Sequence, residues 1–319
     1  MIPLDVSLTD GIDQLVGVFR DPRILLGIPL ALLGAVFMSF GAQYQHRGVQ
    51  KVERLSGKTT GGLSRSQVTS LLTRPSWVAG TIMLGLAIVC QLAALSVAPL
   101  ILVQPLGAIA LVITTVLNAR VSRHKPTRQS LIAIAACVGG IFIFVTIAAL
   151  FATEQIVTSR ELLIILGILA VVVVVFAVFW LVVRRAQALF YIMAAGVIYG
   201  FVATLAKVII SRIQAGNFEW LTLLCVVALL GAVAVGAYFV QTAYSVGPPD
   251  LVIAGLTVID PIVAVLIGLS VLGEASTAPV WALIGFAIAG AIATWGVIQL
   301  TRHHPQLTAD GKPKKPRVH

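Results

Sequence analysis

A carboxylate and a proline stand together within an apolar stretch near the end of the chain. Asp260 and Pro261 belong to the sequence TVIDPIVAVLIGLSVLGEAST, which is apolar enough to lie in a bilayer. A carboxylate at membrane depth costs roughly 2.5–3.5 kcal/mol on insertion scales, and a proline there leaves a carbonyl that needs another partner. A polar cavity would compensate both costs. Asp260 is therefore predicted to bind a cation, to accept a coupling proton or to pair with a lysine. The alternative is a structural carboxylate that hydrogen-bonds a neighbouring helix.

Two further charged residues lie in or next to apolar runs. Lys207 lies one turn before its run ends at Ser211 and Arg212. Its side chain would either extend to the membrane interface or form a buried ammonium group that meets Asp260 or an anionic substrate. Glu274 ends the stretch that contains Asp260, and it is predicted to cap a helix or to pair with a loop.

Three glutamines are candidates for the same cavity. Gln104 precedes a proline, as the carboxylate does, so helix breaks are predicted at both prolines, Pro105 and Pro261. Gln91 and Gln241 lie near the ends of equivalent apolar runs. For each glutamine the alternative is a hydrogen bond between two helices, worth about 0.6 kcal/mol.

The composition is that of a polytopic membrane protein. Hydrophobic residues make up 59% and charged residues 11% of the 319 positions, whereas an ordinary soluble domain has about 25% charged residues. Nine apolar runs are long enough to span a bilayer as helices. They are 24–44, 77–97, 100–121, 130–152, 161–183, 188–211, 220–244, 251–272 and 278–300. The predicted fold is therefore all-α. The first run has Gly27, Gly34 and Gly41 seven residues apart, and the sixth has the GxxxG pair Gly196 and Gly200, so both runs are predicted to pack closely on other helices.

Other residue patterns exclude several functions. The sequence has no HExxH or GxSxG motif, no paired intramembrane aspartates and no phosphate-binding loop, so it predicts neither an enzyme nor an ATP-driven pump. No cofactor is expected. If the chain holds a metal at all, Asp260 is the one candidate ligand. The three cysteines, Cys90, Cys137 and Cys225, lack metal-ligand spacing and are interpreted as small packing residues.

The charge distribution predicts the orientation of the chain. The net charge is +10, but most Lys and Arg residues lie in the 45–76 loop, in 120–129, at 184–185 and in the tail, all on one side of the predicted membrane. The positive-inside rule places that side in the cytoplasm and the N-terminus outside, in a plasma (inner) membrane. The positive charge therefore indicates topology and gives no reason to expect nucleic acid.

An internal repeat is the main organising feature. Ala94–Pro99 reads ALSVAP and Ala243–Pro248 reads AYSVGP, and each sequence separates two spans. The predicted layout has an extracytoplasmic segment, a four-helix repeat with a basic cytoplasmic loop, a connecting helix, a second four-helix repeat and a basic cytoplasmic tail. Their boundaries are 1–23, 24–152 with the loop 45–76, 161–183, 188–300 and 301–319. Repeats that start five spans apart are inverted in the membrane, as is typical of secondary transporters.

Two segments resemble a known superfamily. Asp260–Glu274, DPIVAVLIGLSVLGE, is similar to the final-repeat signature of EamA-type domains in the drug/metabolite transporter superfamily. Ala98–Ala119, APLILVQPLGAIALVITTVLNA, resembles the corresponding part of the NIPA-type magnesium transporter branch, and so does the nine-span layout. The resemblance covers about residues 24–300. It implies a multi-pass transporter and, for Lys207, a lysine in a comparable span.

These observations predict a secondary transporter that carries a small polar metabolite or a cation, with Mg²⁺ among the candidates, by alternating access near Asp260. Two alternatives stay open. One is a transporter or flippase of an amphipathic or lipid-linked envelope precursor. The other is a membrane scaffold or assembly subunit that transports nothing. The expected partners are the substrate and the lipid bilayer, and a homodimer is an open alternative.

Overall fold

The structure, a computed structural model, describes residues 22–56, 73–121, 127–153, 157–182, 188–217, 219–246 and 249–302. Within these ranges the regular structure is α-helical. The helices are α1 (Pro22–Ser56), α2 (Pro75–Val97), α3 (Leu100–Gly107), α4 (Ile109–Val121), α5 (Arg128–Phe151), α6 (Ser159–Val182), α7 (Ala188–Gln214), α8 (Trp220–Val246), α9 (Pro249–Ser270) and α10 (Val280–Arg302).

Nine segments of the described chain are long and apolar enough to cross a membrane, which confirms the predicted number. Helices α3 and α4 together supply one of them, Leu100–Leu117. The chain is thus a multi-pass membrane protein. The inverted relation between its two halves stays a prediction.

Helix α1 is longer than the sequence predicted. The 45–76 segment was predicted to be a basic cytoplasmic loop, but the helix continues through Ser56. It continues because α1 packs on the start of α2: Gln45 donates to the Thr81 hydroxyl at 3.0 Å, and a methyl group at Gly48 would lie 2.7 Å from the Trp77 Cβ. The predicted N-terminal segment, apart from Pro22 and Arg23, and the tail beyond Arg302 lie outside the described residues.

Small residues bring α1 and α2 into close contact. A Cβ atom at Gly27 would lie 2.5 Å from the Ala98 Cβ, and one at Gly41 would lie 3.0 Å from the Gly80 carbonyl oxygen. Gly27, Gly34 and Gly41 follow one another at intervals of seven residues, which places all three on one stripe of α1. The stripe of small residues predicted from the sequence is therefore a packing surface.

Helices α5 and α10 meet through a second set of small residues. A Cβ atom at Gly140 would lie 2.5 Å from the Ala293 nitrogen, and one at Gly296 would lie 2.4 Å from the Cys137 nitrogen. Cys137 is buried there, and the other two cysteines are likewise buried and unbridged. This agrees with their interpretation as packing residues.

The two prolines act differently on their helices. The span that contains Pro105 is divided at Ala108, where α3 ends and α4 begins. Helix α9 runs without interruption through Pro261, so the break predicted there is not seen. Close packing against α7 holds α9 on both sides of Pro261, because Gly196 faces Ile259 and Gly200 faces Val263.

Candidate functional site

Asp260 lies in a stretch of α9 that packs closely on α7. A Cβ atom at Gly196 would lie 2.7 Å from the Ile259 Cβ and 3.6 Å from the Asp260 nitrogen. One turn further along, a Cβ atom at Gly200 would lie 2.6 Å from the Val263 Cβ. The GxxxG pair of α7 therefore sets the position of the Asp260 backbone.

The carboxyl group of Asp260 is incompletely satisfied. The side chain is partly exposed, but its Oδ1 atom is buried and has no hydrogen-bond partner among the described residues. Pro261 has no N–H group to donate to the Thr257 carbonyl four residues before it. Asp260 and Thr257 are three residues apart and so share one face of α9. This face therefore presents oxygen acceptors, which suits a bound cation or proton.

Tyr199 brings a third helix to this position. Its ring packs on α8, because a Cβ atom at Gly236 would lie 3.1 Å from the Tyr199 Cε1. Tyr199 was not among the predicted binding residues. Its position between Gly196 and Gly200 is the sequence signal that places it at this level of α7.

Lys207 lies far from Asp260. It is eleven residues beyond Gly196 on α7, and a helix rises about 1.5 Å per residue, so it lies roughly 16 Å further along the axis of α7. Its side chain is 6% exposed. The ammonium group donates to the carbonyl oxygens of Leu95, at 2.8 Å, and Ala98, at 2.9 Å. The structure therefore does not bring this ammonium group to Asp260.

The three glutamines also occupy different environments. Gln104 is buried, Gln91 is partly buried and Gln241 is exposed. Gln104 does not lie level with Asp260. Ile101 of α3 and Gly268 of α9 contact each other and give a common reference level. From this level Gln104 lies three residues, or about 4.5 Å, along α3 into the bundle, and Asp260 lies eight residues, or about 12 Å, along α9 into the bundle.

We call the segment Leu95–Ile101, where α2 ends and α3 begins, the joint. Glu274, which follows α9, accepts hydrogen bonds at the joint from the backbone N–H groups of Leu100 and Ile101, both at 2.8 Å. Its side chain is 3% exposed. The prediction that Glu274 caps a helix is correct, but the helix is α3, far away in the sequence. No local pattern indicates that partner.

A second buried charge stabilises the turn from α7 to α8. The Arg212 guanidinium group donates to Glu219 and to the Thr222 hydroxyl, both at 2.9 Å. Arg212 is 4% exposed, whereas Glu219 is 58% exposed. Thr222 in turn donates to the Asn217 carbonyl at 3.0 Å. These contacts fix the turn and lie away from Asp260.

Acidic and metal-binding side chains do not cluster in the part of the chain that the structure describes. There, no group of three or more His, Cys, Asp or Glu residues is placed to hold a metal ion. A cation at Asp260 would meet one carboxylate, and water or backbone oxygens would supply its other ligands.

Comparison with known proteins assigns the family. A profile described as "Magnesium transporter NIPA" matches residues 23–215, more than half of the chain. The chain belongs to the NIPA magnesium transporter family. The matched residues include Lys207 and end before Asp260 and Glu274. An uncharacterized protein of Corynebacterium glutamicum is 26% identical over 289 residues, which cover 87% of this chain and 95% of the relative. No solved structure matches the chain at a significant level.

The family assignment confirms the resemblance seen in the sequence. The chain is a membrane transporter of the NIPA family with multiple transmembrane helices. Membership in a transporter family implies that the protein is not an enzyme.

Proposed function

We propose that this protein is a secondary transporter of Mg²⁺ in the plasma membrane and that the ion passes Asp260. The observation that carries the proposal is the buried Oδ1 atom of Asp260, which has no donor in the described structure. An acceptor without a donor, at membrane depth, is costly unless something binds it. Since the family match ends before this residue, its role rests on its geometry.

The surroundings of Asp260 suit a partly hydrated ion. Mg²⁺ prefers oxygen ligands, keeps several waters and is usually bound through one or two carboxylates. Asp260 supplies one carboxylate, and Pro261 leaves the Thr257 carbonyl without its helical donor. The partial exposure of Asp260 leaves room for water beside it.

Lys207 gives no support to an anionic substrate. The buried ammonium group was the feature that favoured an anionic head group, and its hydrogen bonds go to the carbonyl oxygens of Leu95 and Ala98. It lies roughly 16 Å from the level of Asp260 along α7. A cation at Asp260 is therefore favoured over an anion held between the two residues.

Movement of the ion would occur by alternating access between two inverted repeats, α1–α5 and α7–α10, with α6 as the connecting helix. The positive-inside rule supports an N-terminus outside and a C-terminus in the cytoplasm. In this orientation the joint, Glu274 and Lys207 lie at the extracytoplasmic end, and Asp260 lies near the middle of the membrane. The absence of a phosphate-binding loop in the sequence supports transport driven by a gradient.

The test is Mg²⁺ flux into proteoliposomes that contain the purified full-length protein and a magnesium-sensitive dye. Wild type should give saturable flux, and Asp260→Asn should lower it at least tenfold while the protein stays monodisperse. Glu161→Gln is the matched control, because Glu161 accepts from its own helix start at Thr158 and should leave flux unchanged.

Two results would contradict the proposal. Full flux in Asp260→Asn would remove Asp260 from the ion path. Absence of flux in well-folded wild type would remove Mg²⁺ as the cargo and leave a lipid-linked substrate or a scaffold role to be tested.

A further inference from the structure

The joint has backbone groups that its own residues do not satisfy. Helix α3 begins after Pro99, which provides no side-chain cap. The first N–H groups of a helix and the last carbonyl groups of the preceding helix lack partners within those helices. At the joint these two sets of groups lie next to each other, inside the protein, with Leu95, Leu100 and Ile101 at most 1% exposed.

Side chains from the second group of helices satisfy the joint. Glu274 accepts from the N–H groups of Leu100 and Ile101. Lys207 donates to two carbonyls at the end of α2, and Gln214 donates to the Ser96 carbonyl at 3.0 Å. An acid thus caps the positive start of α3 and a base caps the negative end of α2, as the helix dipoles favour.

The same contacts connect the two halves of the chain. The joint belongs to α2 and α3, whereas Glu274 follows α9, and both Lys207 and Gln214 belong to α7. The Thr153 N–H group at the end of α5 also donates to the Glu274 carbonyl oxygen at 2.7 Å. Glu274 and Lys207 are only 3% and 6% exposed, so water has little access to their hydrogen bonds.

We propose that Glu274 and Lys207 form the extracytoplasmic gate of the transporter, closed in this structure. Opening would separate the two side chains from the joint and give water access toward Asp260, about 12 Å deeper. This inference rests on the proposed function for the orientation of the chain and for the path past Asp260.

The location of the caps distinguishes a gate from an ordinary helix cap. Glu161 accepts from the N–H and hydroxyl groups of Thr158, at the start of its own helix, so this cap moves with α6 as a unit. Glu274 and Lys207 cap helices of the opposite half. Movement of α7 and α9 away from the joint therefore breaks these hydrogen bonds, and water can replace them when this end opens.

The test measures access from outside to a cysteine below the joint. Gln104→Cys is introduced into full-length protein whose three native cysteines are replaced by alanine. A membrane-impermeant thiol reagent is then added to intact cells. Glu274→Gln and Lys207→Met should each raise the labelling rate at least fivefold. Glu161→Gln should leave the rate unchanged, since its cap lies within one half.

Two variants keep the test decisive if one fails to fold. Glu274→Gln alters the cap of α3, and Lys207→Met leaves that cap in place and removes the donors to α2. If either variant is monodisperse and labels Gln104→Cys no faster than the protein without that substitution does, the gate proposal is contradicted.

A disulfide gives the complementary measurement. Ile101→Cys and Gly268→Cys place two thiols across the joint, where a Cβ atom at Gly268 would lie 2.7 Å from the Ile101 Cγ2. Oxidation should abolish Mg²⁺ flux, and reduction should restore it. Saturable flux that is equal in the fully oxidised and reduced forms would contradict the gate.

The labelling assay separates the two proposals because it needs no knowledge of the cargo. Faster labelling in the gate variants without any Mg²⁺ flux in wild type would support the gate and contradict Mg²⁺ as the cargo. Mg²⁺ flux in wild type with unchanged labelling in the variants would support Mg²⁺ as the cargo and contradict the gate.

Discussion

Asp260 and Glu274 are carboxylates fourteen residues apart in the same part of the chain, and they differ in their hydrogen bonding. Glu274 lies at the end of the bundle and accepts two backbone hydrogen bonds at 2.8 Å. Asp260 lies in the interior of α9, where its buried Oδ1 atom has no donor among the residues described. Both are acidic groups in an apolar setting, so their different surroundings indicate different roles.

The comparison shows how hydrogen-bond satisfaction separates structural from binding carboxylates. A buried carboxylate that is fully paired stabilises the groups that pair with it, and its loss leaves them unsatisfied. A buried carboxylate that lacks a partner gains most when a ligand binds. On this basis Glu274 holds two halves of the protein together and Asp260 is available to the cargo.

Glu274→Ala tests whether Glu274 has a structural role, and it should have the largest effect on stability. It would leave the buried N–H groups of Leu100 and Ile101 without an acceptor, at about 1–3 kcal/mol each. Thermal unfolding in detergent should show a clear loss of stability against wild type. A melting temperature equal to that of wild type would show that water satisfies these groups and that Glu274 is dispensable.

Gly196→Ala should have an intermediate effect, because it acts on the contact that positions Asp260. The added methyl group would lie 2.7 Å from the Ile259 Cβ, and such overpacking costs about 1–3 kcal/mol. Gly231→Ala is the matched control, since no atom lies within 4 Å of its added Cβ. Unfolding midpoints of the two variants should differ, with Gly196→Ala the lower. Equal midpoints would mean that α7 and α9 can separate at no cost.

Asp260→Asn should have the smallest effect on stability, in contrast to its large expected effect on flux. The amide keeps the shape of the side chain and removes a charge whose Oδ1 atom has no described partner. The free energy of unfolding should stay within about 0.5 kcal/mol of wild type or rise. A large loss of stability in the same unfolding assay would assign Asp260 a structural role like that of Glu274.

The sequence predicted the features that depend on composition and local spacing. Apolar run length identified the nine spans, and the seven-residue spacing of Gly27, Gly34 and Gly41 identified the surface on which α1 meets α2. The GxxxG pair likewise predicted close packing at Gly196 and Gly200. These predictions held because a repeated small residue has the same effect on any neighbouring helix.

The sequence did not predict the contacts between residues that are far apart along the chain. Lys207 and Leu95 are 112 positions apart, and Glu274 and Leu100 are 174 positions apart. A lone charged residue in a span gives no sign of which helix end it meets. Proline effects were also unequal: α3 ends close to Pro105, whereas α9 continues through Pro261 because packing against α7 compensates for the missing hydrogen bond.

The pairing of one acid with one base at the joint has a consequence for the response to membrane voltage. Glu274 and Lys207 carry opposite charges at the same end of the bundle, so releasing them together moves no net charge through the electric field. Moving one elementary charge across the membrane is worth about 2.3 kcal/mol per 100 mV. Under the two proposals, the voltage dependence of transport would therefore arise at Asp260, from the ion and the carboxylate that accompanies it.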